Sequence, residues 1–148
     1  MEILPHFWIG YYKENLLPII KQKNITNIIH LSKDESFKQK LDIEEIRIFI
    51  NYNDDNSFEE TNNIMYDHLS DITEYIHKKI TNNSNILLLG YINKQDIDTI
   101  IIAYFIKYGK INIRESILFL KSKKNNIFND KCIFYPALNR FYKKMTAN

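Results

Sequence analysis

The chain has 148 residues, a length that suits one compact domain with a single core, and its 45% hydrophobic and 26% charged residues argue against disorder. A formal charge of +2 is too small to define a nucleic-acid binder, and one cysteine, Cys132, rules out an internal disulfide. That cysteine usage fits a reducing, cytoplasmic setting or carriage inside a virus particle.

Met1 to Pro5 lacks a basic segment before an apolar stretch, so no signal peptide is expected. The longest apolar run, Ile100 to Ile106, is far short of a membrane span. The abundance of Ile, Asn and Lys is what AT-rich coding produces, as in a virus or a protozoan parasite.

In chain order, Leu4 to Ile9 reads as a short strand stopped by Gly10. Asn15 to Lys23 reads as a helix with Pro18 in its first turn, where a missing N–H costs little. Asn27 to Leu31 is a second strand. Glu44 to Ile50 is a third, with Ile46, Ile48 and Ile50 alternating against polar neighbours. Asn51 to Ser57 is a polar loop. Met65, Leu69, Ile72, Ile76 and Ile80 then follow at spacings of three and four, one stripe of a long helix.

Asn82 to Asn85 is a turn, and Ile86 to Leu89 has the wholly apolar pattern of a central strand buried on both faces. Ile97 to Lys107 is apolar almost all round, a helix at the centre of a core. Two further helices are predicted, near Ile113 to Lys123 and Ala137 to Lys144. Strands alternating with helices predict a single α/β domain over residues 1–148, with a mostly parallel twisted sheet of four to five strands. Ligands of such sheets sit beyond the carboxyl ends of the strands, which directs attention to Gly90 through Asp96.

At this point the ordered pieces resemble a family, the small Cys-dependent dual-specificity protein phosphatases. Glu2 to Gly10 resembles the family's "ILPGLYLG" start, and Asn24 to Leu31 its "GITHILNL" strand. Asn53 to Asn56 falls where a "DD-N" loop follows the next strand. Thr99 to Ile106 resembles the helix "ATIVIAYLM", and Ile113 to Lys124 resembles "SLEEAYEFVKSRR".

The resemblance implies a catalytic loop of His-Cys, five residues, Arg and Ser or Thr. There the thiolate attacks phosphorus, while loop N–H groups and the arginine hold the phosphate oxygens. Aligning the flanking strand and helix places Leu89 at the His, Gly90 at the Cys, Asn93 at the loop glycine, Asp96 at the Arg and Ile97 at the Ser/Thr, with Tyr91, Ile92, Lys94 and Gln95 between them. No Cys-x5-Arg occurs anywhere, and six places beyond Cys132 stands Leu138. Asp55 fits the family's general-acid slot but has no leaving group to protonate, so local hydrogen bonding is its expected role.

The resemblance therefore points to the catalytically inactive, STYX-like pseudophosphatases. Those members usually keep the arginine, whereas a carboxylate at Asp96 repels a phosphate dianion. Asp96 and Asp98 are expected to cap the following helix instead, as a built-in ligand of the old anion site or as plain caps.

Asn93 to Asp96 also spells the Asn-Lys-x-Asp guanine-reading motif, but a chain with glycine only at 10, 90 and 109 has no phosphate loop to go with it. The histidines at 6, 30, 68 and 77 show no metal spacing, and His30 in an apolar strand is expected to be hydrogen-bonded and structural. Asp67, Asp71 and Glu74, with Lys78 beyond, read as a solvated helix face.

The function expected is that of an inactive scaffold acting through a protein partner, as anchor or competitor. That partner is a phosphoprotein, a kinase-pathway protein or a second copy of the chain. No cofactor, metal or membrane is expected, and the loops around Gly90 and Asp55 form the expected vestigial face. Two alternatives use the same scaffold. One is a metal-assisted enzyme built on Asp55, Asp96 and Asp98. The other is a nucleic-acid module using Lys121, Lys123, Lys124, Lys143 and Lys144 beside Phe128, Phe141 and Tyr142.

Overall fold

The structure is a computed structural model that describes residues 1–37, 40–128 and 131–147. Its chain order is β1 (Glu2–Leu4), β2 (Phe7–Tyr11), α1 (Leu17–Gln22), β3 (Asn27–His30), β4 (Glu44–Arg47), α2 (Phe58–Thr81), β5 (Ile86–Gly90), α3 (Asp96–Gly109), α4 (Ile113–Lys123) and α5 (Tyr135–Thr146). The chain divides into two compact units, one of residues 1–49 and 75–97, the other of residues 50–74 and 98–148.

The first unit holds a five-stranded sheet in the order β1-β2-β5-β3-β4. β2, β5, β3 and β4 run parallel, and only β1 is antiparallel to its neighbour. β5 is central because its sequence, Ile-Leu-Leu-Leu-Gly, is buried throughout. A strand without a polar face has both faces covered. Leu87 and Leu89 join Leu16 and Ile20 around α1 and Ile28 of β3 in one apolar cluster.

Several strand boundaries differ from the sequence reading, and the larger differences have physical reasons. Leu4 to Ile9 is not one strand but the middle of a hairpin, with Leu4 paired to Phe7 across a tight turn at Pro5 and His6. His6 has φ 73°, the left-handed conformation that the third position of a type II turn requires after Pro. Its ring is held by Asn85 Oδ1 at 2.7 Å from Nδ1. Nor does Gly10 stop β2, which runs on to Tyr11. A Cβ on Gly10 would lie 2.7 Å from a Leu16 methyl group, so close packing requires glycine there. β4 ends at Arg47 rather than Ile50 because its neighbour β3 ends at His30, after which only the Ile48 N–H bond to the His30 carbonyl remains.

Asn residues supply left-handed turns in place of glycine. Asn24, Asn83 and Asn126 have positive φ, whereas none of the three glycines does. Asn83 ends α2, with the Ser84 N–H reaching back 2.9 Å to the Lys79 carbonyl. At the other end of α2, Ser57 Oγ accepts from the Glu60 N–H at 3.1 Å, a capping arrangement at the exit of the polar loop. Bonds from Asn56 and Ser57 hold the Glu60 carboxyl below the usual carboxylate range. The predicted stripe is buried at Met65, Leu69, Ile72 and Ile76 and half-buried at Ile80.

In the second unit the apolar helix predicted from residue 97 is α3, buried from Ile100 to Ile106. α4 begins on Asn112, whose side chain accepts from the Glu115 N–H. Its far end is fixed by a buried ion pair, Lys124 Nζ to Asp98 Oδ1 at 2.7 Å, with side-chain exposures of 12% and 8%. Removing one member strands the other charge away from water. Lys124→Met is expected to destabilise the protein by about 3 kcal/mol in urea unfolding, and the double variant with Asp98→Asn by clearly less. Equal losses in the two variants would refute that account.

Candidate functional site

The segment singled out by the sequence lies where β5 runs into α3. Leu89 and Gly90 finish the strand, with Gly90 paired to Tyr11 of β2 and the Leu31 N–H bonded to the Leu89 carbonyl at 2.9 Å. Tyr91 to Gln95 form the loop, and Asp96 is the first residue of α3. The loop closes on itself through the Lys94 N–H and the Tyr91 carbonyl at 3.2 Å. Ile92, at the tip of this turn, is 73% exposed, Asn93 is exposed, and Lys94 and Gln95 are half-buried.

Gly90 sits under a lid of hydrocarbon. A Cβ built there would stand 3.1 and 3.2 Å from two carbons of Ile97 and 3.4 Å from Leu31. Ile97 itself is 2% exposed, so it has little room to turn away. Asp96 is 6% exposed, a buried carboxylate at the position aligned with the arginine. The first turn of a helix favours a negative charge at such a position.

Asp98, expected as a helix cap, carries an ion pair that the sequence reading did not foresee, its Oδ1 lying 2.7 Å from Lys124 Nζ. Asp55, in the second unit, is exposed in a turn of its own. There the Asp55 N–H bonds Asn53 Oδ1 at 2.9 Å and the Asn53 N–H bonds Asn56 Oδ1 at 2.8 Å. Among the described residues no group of three or more His, Cys, Asp and Glu is placed to hold a metal ion. Asp67, Asp71, Glu74 and Lys78 are exposed along α2.

Cys132 offers no substitute nucleophile. Burial pushes its thiol up to about 11, with Asp98 adding in the same direction. Of the lysine clusters, Lys124 is consumed by Asp98, and Phe128 and Phe141 are buried, so neither ring is open for stacking on a base. Among the described residues, no helix is long and apolar enough to cross a membrane.

Beside the loop, the structure brings together groups that periodicity did not reveal. His30, buried in β3, is bonded on both ring nitrogens, by Glu45 Oε1 at 2.8 Å from Nε2 and by the Tyr12 hydroxyl at 2.9 Å from Nδ1. A carboxylate only accepts, so Nε2–H donates to Glu45, and in the neutral ring Nδ1 accepts from Tyr12. Burial raises the Tyr12 phenol to about 12. Tyr12 stacks on His30 with centroids 5.8 Å apart and leans on Tyr91, whose hydroxyl meets Ser32 Oγ at 2.9 Å. A histidine in an otherwise apolar strand was the available signal, and its structural role is as expected. Its partners, 18 and 15 residues away, were not legible.

A five-stranded, mostly parallel sheet whose central strand feeds a short loop and an apolar helix is the architecture of the dual-specificity phosphatases. The chain has that fold. It matches human DUSP28 with a TM-score of 0.78 at 11% identity, covering 97% of this chain and 96% of that one. A putative dual specificity phosphatase from mouse matches with a TM-score of 0.77 at 12% identity, covering 97% and 86%. The human tyrosine phosphatase-like serine/threonine/tyrosine-interacting protein matches with a TM-score of 0.77 at 18% identity, covering 99% and 97%. At these identities the likeness establishes the fold. No family model matches the chain, and no curated protein matches it by sequence.

Two expectations follow from this chemistry. Tyr12→Phe leaves His30 Nδ1 without the Tyr12 hydroxyl and is expected to cost about 1–2 kcal/mol in chemical unfolding, while Tyr135→Phe, at an exposed position, costs little. With its thiol pushed up to about 11, Cys132 at pH 8 carries about a hundredfold less thiolate than an ordinary cysteine. Its alkylation should therefore be slow in the native protein and fast in urea, and equal rates would contradict the burial assigned to it.

Proposed function

We propose that this chain is a pseudophosphatase, a dual-specificity-phosphatase scaffold without phosphatase chemistry that acts by binding a protein as anchor, competitor or homodimer partner. The observation that carries this reading is the pair of substitutions at the end of the central strand. Gly90, closed over by Ile97 and Leu31, stands at the nucleophile position, and the buried carboxylate of Asp96 stands at the arginine position. Nucleophilic attack on phosphorus needs an activated thiolate and a cationic clamp for the oxygens. Here the first position has no side chain and the second has the wrong sign.

Support also comes from the loop between them. Its Lys94 N–H closes a turn within the loop, and its tip presents Ile92 to solvent. Phosphate is not the ligand of this site. The partner is a protein, and the exposed hydrocarbon at Ile92 is the kind of anchor a protein interface uses.

The direct test is turnover of a generic aryl phosphate by the pure protein without added metal. None is expected, and clear activity overturns the proposal. Millimolar inorganic phosphate is expected to leave the melting temperature unchanged, because a ligand that binds only the folded state must raise it. Gly90→Cys with Asp96→Arg is expected to remain inactive, since Ile97 crowds the new side chain and Leu89, Asn93 and Ile97 also depart from the signature. The single Gly90→Cys change is expected to destabilise by about 1–3 kcal/mol through overpacking, and pairing it with Ile97→Ala should recover part of that loss.

A further inference from the structure

The second unit carries a groove of about 300 Å³ formed by the first turns of α2 and by α5. Asn62 of α2 makes its floor rigid, donating 3.1 Å to the Ile133 carbonyl and accepting from the Ala137 N–H at 3.0 Å. The walls are Phe58, Glu59 and Tyr66 on the α2 side and Pro136 and Arg140 on the α5 side. Phe58 is 57% exposed, and neighbouring Tyr135 is 51% exposed, large apolar groups that a free surface gains nothing by showing.

Charge identifies what fits there. The α5 sequence, Tyr-Pro-Ala-Leu-Asn-Arg-Phe-Tyr-Lys-Lys-Met-Thr, has three cations and no acidic residue. Arg140 lies flat on the Tyr66 ring at 3.8 Å, and Lys144 stands 5.9 Å from the same ring. That stacking fixes the guanidinium at the groove edge, where a planar fork can take a carboxylate in two hydrogen bonds.

We propose that this groove docks an acidic peptide segment of a partner protein, with an apolar side chain in the groove and carboxylates on Arg140, Lys143 and Lys144. A single-stranded nucleic acid fits the same surface less well. The Tyr66 face is already covered by Arg140, and Glu59 and Glu60 follow Phe58 on the opposite side. A polymer charged at every step meets those carboxylates, whereas a peptide can confine its charges to the α5 side. The inference goes beyond the proposed loss of catalysis and is tested separately, because no phosphate ester enters the experiment.

The test is selection of a phage-displayed random-peptide library on the whole chain, followed by anisotropy titration of the enriched peptides after labelling. Enriched sequences are expected to combine acidic residues with one apolar anchor. Binding should weaken about tenfold or more in Arg140→Glu and in Phe58→Ser, both surface changes, and when lysine replaces the acidic residues of the peptide. Melting curves check that both variants are folded. Failure to enrich any peptide, enrichment without acidic bias, or affinities unchanged in both variants overturns the proposal. A labelled oligouridine that binds the chain and loses affinity in the same variants also overturns it, in favour of a nucleic-acid surface.

Discussion

β5 is the constraint on which the first unit depends. Its residues Ile86 to Gly90 pair with β2 on one edge, Ile86 to Leu89 pair with β3 on the other, and all five are buried. Such a strand has no freedom of register, because any slip exchanges buried positions along two ladders at once. The end of β5 is therefore fixed, and so is the point where the chain leaves the sheet to enter α3. Everything argued about position 90 follows from that anchoring. A residue that sits there is held by the sheet on one side and by Ile97, at the start of α3, on the other.

A fixed position does not by itself make a reactive one. Thiolate chemistry at the end of a parallel strand relies on amide donors and the positive end of a helix converging on an exposed anion. The Lys94 amide closes a turn, a buried carboxylate follows at Asp96, and hydrocarbon from Ile97 and Leu31 covers Gly90. The segment is buried at its base, at Gly90, and exposed at its tip, at Ile92.

The sequence exposed what depends on periodicity and hid what depends on distant partners. The β5 run, the α2 stripe and α4 were legible because burial leaves a repeating mark in residue type. The ends of β2 and β4 were not. Gly10 looked like a stop signal, yet it is glycine because Leu16 presses on it, and β4 stops because β3 has ended. Local rules do not contain either fact. Polar side chains were harder still. Asp98 at the start of an apolar helix is indistinguishable from a helix cap until Lys124, 26 residues later, is found against it. The same holds for the Tyr12–His30–Glu45 chain, which joins three separate segments.

These polar clusters bear on how a scaffold of this kind keeps one shape. A core of Ile, Leu and Phe is permissive, since hydrocarbon packs in many arrangements of similar energy. Buried polar groups are not permissive, because each needs a partner at a defined distance and direction. His30 with both ring nitrogens bonded, Ser32 joined to Tyr91, and Asp98 joined to Lys124 each admit one arrangement. Two of the three, His30 through Tyr12 and Ser32 through Tyr91, lie against the loop that follows β5. They hold Tyr91 in place while Ile92, the next residue, stays exposed. A surface meant for a partner must be presented in one conformation before binding if it is not to spend affinity on ordering itself. Buried hydrogen bonds just beneath an exposed turn hold that turn in one conformation in this way.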